Sequence, residues 1–416
     1  MFTWNDMNEP SVFGNYEMSI PRDVRHSGGW ENREIHNIYG QCYHNSTYLG
    51  HLMRSNYELR PFILTRSFFT GSQRTTAIWT GDNMAAWSHL KATIPMVLSL
   101  SIAGFPNIGA DVGGFFGNPD EELLVRWYQT GAFHPFFRAH AHIDTRRREP
   151  YLYGEKTREA IRAAIIQRYQ LLPYWYTLFY EHTLTGQPVV RPIWAEFPED
   201  EAGLDEEREF MLGSGLLIRP VMDQGVQEVS LYLPGYHKAW FDWNTGKMHV
   251  SPGAIYTETP LEKTPVYQRG GTIIPVRKRH RRSSKLMRND PITLYIASEL
   301  NNDFANGTLY LDDGESFAYQ KNNEYMYWGY TFKKESNYLY TITSKNLDKK
   351  GVYDPDVWIE KIVIRGVRFY PNNVHVYVDD FNPVDLEFTH DRDKREVVIR
   401  KPNAFVSREW RIDIHT

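Results

Sequence analysis

The sequence predicts an α/β first half followed by an all-β second half. Three observations carry this reading. Short apolar runs alternate with longer stretches of helical period up to about residue 212. Each of those apolar runs ends in polar or glycine residues, as a strand does where it runs out into a loop. Beyond residue 212 amphipathic helices nearly vanish, and short β-type runs separated by Gly, Pro and Asp turns continue to the C-terminus.

In the first half, "PFILTR" (61–66), "TAIWTGD" (76–82), "FPNIGADVGGF" (105–115) and "PVVRPIW" (188–194) read as strands. Between them, 36–56, 85–104, 118–133 and 155–186 carry helical periodicity. Asn118 and Pro119 suit the N-cap and N1 positions of the third helix. Gly186 suits the end of the fourth, and Pro173 should kink it. Strand, polar tip, helix, strand is the order of a parallel sheet or a (β/α)8 barrel, and in such a barrel catalytic groups stand at the C-terminal ends of strands. Asp6, Arg66, Asp82 and Asp111 fall at those tips.

The second half divides at a basic run, "RKRHRRSSK" (277–285), which reads as a solvated loop before it reads as a polyanion patch. The expected domains are therefore 1–212 (part of the α/β barrel), 213–282 (a proximal β-sandwich) and 283–416 (a distal β-sandwich). No internal repeat of 20–50 residues is visible.

The totals exclude several classes. A net charge of −4 argues against broad nucleic-acid or anionic-membrane binding. The longest apolar stretches fall short of a membrane span. With Cys42 alone, no internal disulfide forms. No phosphate-cradling glycine motif and no metal-ligand spacing is present, so no cofactor and no metal are expected. "MFTWNDMNE" has no basic and apolar leader pattern, and "RIDIHT" is not a retention tetrapeptide. Sequons stand at Asn45 and Asn306. Aromatic residues reach 15%, enough for a large core and also suited to the flat apolar faces of sugar rings.

Several strand-tip acids in one α/β unit fit glycoside hydrolysis, which needs two carboxyl groups flanking the anomeric carbon. One attacks or steadies that centre, and the other holds a proton for the leaving oxygen. A single Asp at a strand tip is more often a turn former or helix cap. The combination decides. "WNDMNEP", "LTRSFFTGSQR", "IWTGDNMAAW", "IGADVGGFFG", "RWYQTGAFHPFFRAHAHIDTRRREPY" and "PVVRPIWAEFP", in this order and spacing, resemble the signature blocks of glycoside hydrolase family 31. The likeness continues through "FMLGSGLLIRPVMDQG", "PVYQRGGTIIP" and "LYLDDGESFAY" to the last strand.

The resemblance implies a retaining α-glucosidase with Asp6 as nucleophile and Asp82 as general acid/base. It also implies that Arg66, Trp79, Asp111, Phe115 and His140 line the sugar pocket, with Trp4 as a further wall. Read from the residues alone, Trp4 fits a core as well as a pocket, and a lone His140 is more often a structural hydrogen-bonder. Arg138 fits a pocket or an ion pair, and Glu9 reads as local support. Within the family the likeness is strongest to the endoplasmic-reticulum branch that trims glucose from N-glycans. That implies a glucosylated N-glycan or other α-glucoside as substrate, a β subunit as partner and a lumenal location. In the family the nucleophile follows three and a half barrel strands and a large β domain, whereas here it follows five residues. The expectation is a truncated chain lacking the N-terminal half of the barrel, weak or inactive alone. α-Xylosidase or α-glucan lyase chemistry, or a non-catalytic carbohydrate-binding or subunit-docking remnant, are the alternatives.

Overall fold

The computed structural model describes residues 2–378 and 383–416. Four short parallel strands open the chain: β1 (Phe2–Asn5), β2 (Phe62–Thr65), β3 (Ala77–Trp79) and β4 (Ile108–Gly109). They hydrogen-bond side by side in sequence order, with Trp4 beside Leu64, Thr65 beside Ile78 and Trp79 beside Gly109. A second parallel pair follows, β5 (Asp111–Val112) and β6 (Arg138–Ala139). Helices α1 (Asn32–Arg54), α2 (Trp87–Ile102), α3 (Glu121–Gly131), α4 (Glu155–Gln170) and α5 (Leu172–Thr185) complete this part. Ile78, Leu90, Ile94, Ile108, Trp127 and Trp175 share the core that joins sheet to helices. Burial on both faces explains why Phe62–Leu64 and "AIW" are unbroken apolar runs that do not alternate.

Three expectations change at the helix and strand ends. Helix α3 is capped by Asp120, whose carboxylate accepts from Leu123 N at 2.7 Å. Asn118, expected in that place, instead accepts from Arg146 N at 2.7 Å. The kink expected at Pro173 is a full break, with α4 ending at Gln170 and Pro173 in the first turn of α5, where its missing N–H is harmless. The run 188–194 supplies only β7 (Val190–Arg191), which pairs antiparallel with Phe210–Leu212 and joins the next sheet, not the barrel. The strand after β5 is β6, two residues inside a polar stretch and too short to show a period. Gly109 marks its neighbour: a Cβ there would lie 1.8 Å from the Phe136 carbonyl.

The proximal β region is a six-stranded sheet faced by a ribbon of Glu228–Leu233 and Gly253–Glu258. Met211, Leu217, Leu231, Trp240 and Tyr267 fill the space between. The distal region differs from the second sandwich expected. Among the described residues its eleven strands, from Thr272–Val276 to Trp410–His415, form one continuous hydrogen-bonded sheet curled around a single core. Parallel pairings link what would otherwise be two sheets, Thr272 beside Asn306 and Leu294 beside Ile362. The basic run folds as a loop with internal partners: Arg279 pairs with Glu360, Arg281 with Asp290 and Lys285 with Glu315.

Two polar joints tie the regions together. Arg126 of α3 is buried and donates to the main-chain oxygens of Thr259 (2.6 Å), Lys263 (3.1 Å) and Pro260 (3.3 Å), while Gln129 donates to Leu261 O. At the other joint the Asp312 carboxylate accepts from Arg60, Tyr176 and Tyr310. Tyr180 stacks on Tyr310 at 3.9 Å beside it.

Candidate active site

The strand ends converge on one pocket. Asp6 follows β1, Arg66 follows β2 and Asp82 lies in the turn after β3. Asp111 opens β5, Phe115 stands on the loop after it, and His140 follows β6. The loop carrying Asp6 is pinned by Asn8, buried, which donates to Thr65 Oγ1 at 2.9 Å and accepts from Ser67 N at 2.9 Å. β1 and β2 therefore present their tips together.

Arg66 sits at the centre. Its Nε and Nη2 fork onto Glu9 at 2.7 and 3.2 Å, fixing the guanidinium plane. Its Nη1 stands 3.0 Å from Asp6 Oδ1 and 3.7 Å from Asp82 Oδ2. Those two distances cap the gap between the two oxygens at about 6.7 Å, which admits the roughly 5–5.5 Å of a retaining pair and little of the roughly 6.5–9.5 Å range of an inverting one. Both aspartates are about one-third exposed (32% and 38%), so water and substrate reach them. Glu9 feels burial pushing its pKa up, but hydrogen bonds from Arg66 and Ser11 prevail and hold it below the usual carboxylate range. It stays ionised and keeps Arg66 in place.

Across the pocket, Asp111 is buried and accepts from Arg138 Nη2 at 2.5 Å. Burial pushes its pKa up more strongly than Arg138 pulls it down. Asp111 Oδ2 and Arg138 Nε are both buried without a protein partner among the described residues. Buried polar atoms are rarely left this way, and such a pair suits the hydroxyl groups of a ligand. The Arg138 guanidinium lies 4.8 Å from the Trp4 ring and 5.2 Å from that of Trp79. His140 meets Trp4 edge-on at 5.1 Å and stacks on Phe115 at 5.3 Å. Burial, then the charge of Arg138, holds its pKa below the usual value. At neutral pH its ring is uncharged, with one nitrogen to donate and one to accept.

All eight residues singled out in the sequence lie in this constellation: Trp4, Asp6, Arg66, Trp79, Asp82, Asp111, Phe115 and His140. Sequence reasoning left Arg138 open and passed over Asn83. Residues two apart in an extended segment share a face, so His140 points to Arg138 as well. Asn83 donates to Asp111 O at 3.1 Å and accepts from Phe115 N at 2.8 Å, joining the Asp82 turn to its neighbour, and its sequence carries no such signal. His142, not selected, packs on the outer rings of Phe115 and Phe116. Among the described residues no cluster suited to a metal ion is present.

The profile of the glycosyl hydrolases family 31 TIM-barrel domain matches residues 1–178, and that of the family 31 C-terminal domain matches residues 186–274. The chain belongs to glycosyl hydrolase family 31. Every residue of the pocket falls inside the first match. Neutral alpha-glucosidase AB of Mus musculus is 48% identical over 414 residues, covering 100% of this chain and 43% of the relative. A crystal structure of glucosidase II alpha subunit in a Glc1Man2-bound form superposes with a TM-score of 0.93 at 42% identity, covering 100% of this chain and 46% of that one. The catalytic subunit in a crystal structure of an ER glucosidase II heterodimeric complex, with the binding domain of the regulatory subunit, superposes at 0.92 and 42% identity, again over 100% and 46%. This family 31 chain thus spans under half the length of these relatives.

Proposed function

We propose that this chain carries the catalytic pair of a retaining α-glucosidase. The observation that carries the reading is the bridging of Asp6 and Asp82 by one nitrogen of Arg66, which brings two carboxylates from different strand tips to a common reaction centre. Asp6 attacks the anomeric carbon while Asp82 protonates the departing oxygen. Asp82 then takes a proton from water, which displaces Asp6 and returns the α configuration. Asp111, Arg138 and His140 bind sugar hydroxyls, and Trp4, Trp79 and Phe115 wall the ring.

The finer assignments rest on likeness. Relatives named as alpha-glucosidases support terminal α-linked glucose as the substrate, and glucosidase II supports a glucosylated N-glycan. The heterodimer supports a regulatory subunit as partner and the endoplasmic reticulum as location. The outer edge of β1 has no strand partner among the described residues, and Phe2 beside it is 82% exposed. An open edge of this kind calls for covering strands. We therefore place full activity in a barrel closed by further strands, and expect the 416-residue chain alone to turn over weakly.

A fluorinated α-glucosyl fluoride, which slows breakdown of a glycosyl-enzyme, tests the mechanism. Mass spectrometry should find the adduct on the peptide bearing Asp6, and NMR should find α-glucose as the first product. An adduct elsewhere, or β-glucose first, would sink the assignment.

A further inference from the structure

Arg148 directs its guanidinium onto the main chain of two separate segments. Nη1 donates to Gly113 O at 2.8 Å. Nη2 donates to Gly114 O and, at 3.1 Å, to His140 O. The first segment leads directly into Phe115, and the second carries the His140 ring. Phe115 and His140 stack across the gap that Arg148 spans. On its far side the Phe115 segment is held by Asn83, next to Asp82, through Phe115 N at 2.8 Å. There is no slack there: Gly114 has φ +80°, and a Cβ on it would lie 2.4 Å from Ala85 N. On the near side a cavity of about 290 Å³ lies against Arg148, lined also by Val112, Leu124, Tyr128, His140 and His142. Without the guanidinium both segments have room to slump.

We propose that Arg148 is a positioning residue that sets Phe115 and His140 against Asp82 and so fixes the shape of the pocket on its acid/base side. The proposal deepens the α-glucosidase reading and rests on it. It assigns the effect to fork geometry and not to charge. Three carbonyls on two segments need a planar group with several fixed N–H directions, and a lysine ammonium is a single point on a flexible stem. Slippage of about 1 Å at such a site costs on the order of 100-fold in rate.

The test uses the 416-residue chain with Arg148→Lys and, as a second variant that keeps the stem, Arg148→Met. Turnover of p-nitrophenyl α-glucoside gives kcat and KM. Histidine-selective NMR, with His140 assigned through His140→Gln, gives the titration midpoint of that ring. The charged groups that act on His140 (Arg138, Asp111, Asp82 and Asp6) are unchanged in both variants. We expect both variants to fold, kcat to fall about 100-fold with KM within a few-fold, and the His140 midpoint to rise toward the ordinary 6.5 as water enters. Parent-like kcat and midpoint in either folded variant would overturn the proposal, as would a lowered melting temperature with both unchanged. If the parent chain gives no turnover, the rate arm speaks to the activity of the chain, and the His140 midpoint alone decides for or against Arg148.

Discussion

The barrel sheet and the distal sheet solve opposite problems. The barrel strands are two to four residues long, and among the described residues β1 has no strand on its outer edge, where Phe2 is largely exposed. The distal sheet has strands of up to twelve residues, from Tyr325 to Ser336. It curls until Val374 and Val376 near one end share a core with Val397 and Ile399 near the other. One sheet keeps charged tips apart from its core and uses ion pairs to aim them. The other buries what it has and presents little chemistry. Function sits in the region whose backbone is least self-sufficient, in line with loops and strand ends carrying sites while rigid elements support them.

That contrast can be broken in four places. Asp6→Asn removes the proposed nucleophile and should lower α-glucoside turnover on the order of 10⁴-fold while leaving the fold intact. Kinetics paired with circular dichroism check this, and retained turnover would move the chemistry away from β1. Next comes the joint between the two regions. Asp312→Ala leaves Arg60, Tyr176 and Tyr310 without their shared acceptor, and should cost about 3–5 kcal/mol by denaturant unfolding. A loss below about 1 kcal/mol would move the coupling to other contacts at that joint, such as Glu181 with Thr308 and Tyr327.

Acid should separate the regions further. Buried His44 and His134 have pKa values lowered by burial to about 4 and about 3, and both lie in the first half. Folded, they are neutral; unfolded, they take up protons below about 6.5. Their contribution is therefore complete above pH 6.5 and is lost as pH falls toward 4, by up to about 3 kcal/mol each. Hydrogen exchange at pH 7 and pH 4.5 should show 36–56 losing protection before 325–346. The reverse order would contradict the assignment. The smallest effect is expected in the basic run, where Arg279→Ser removes a half-exposed pair with Glu360 and should change stability by less than about 0.5 kcal/mol.

What could be read from the sequence tracks how far each signal extends. Asp6, Asp82 and Asp111 stood out because apolar runs pointed at them, and the switch to β structure near 212 was plain because it repeats over half the chain. The strand Arg138–Ala139 was hidden, since two residues cannot display a period of two. Val190–Arg191 looked like its neighbours in the barrel because an apolar run does not say which sheet it will join. The curl of the distal sheet depends on parallel pairings between residues far apart in sequence, such as Leu294 with Ile362. Arg138 and Arg148 look alike as letters. One faces the pocket and the other grips backbone behind it, a distinction made by tertiary placement.

The grip of Arg126 on residues 259–263 has a consequence for how this molecule can change over time. Every hydrogen bond it makes there is to a peptide carbonyl, as is that of Gln129. Of the side chains in that loop, Leu261 packs on the core that α3 shares and the Glu262 carboxylate acts on Arg126, so these two are tied to the docking in a way the hydrogen bonds are not. An insertion or deletion of one residue would shift the carbonyls out of line, so drift in that loop should spare its length first and an apolar residue at Leu261 second.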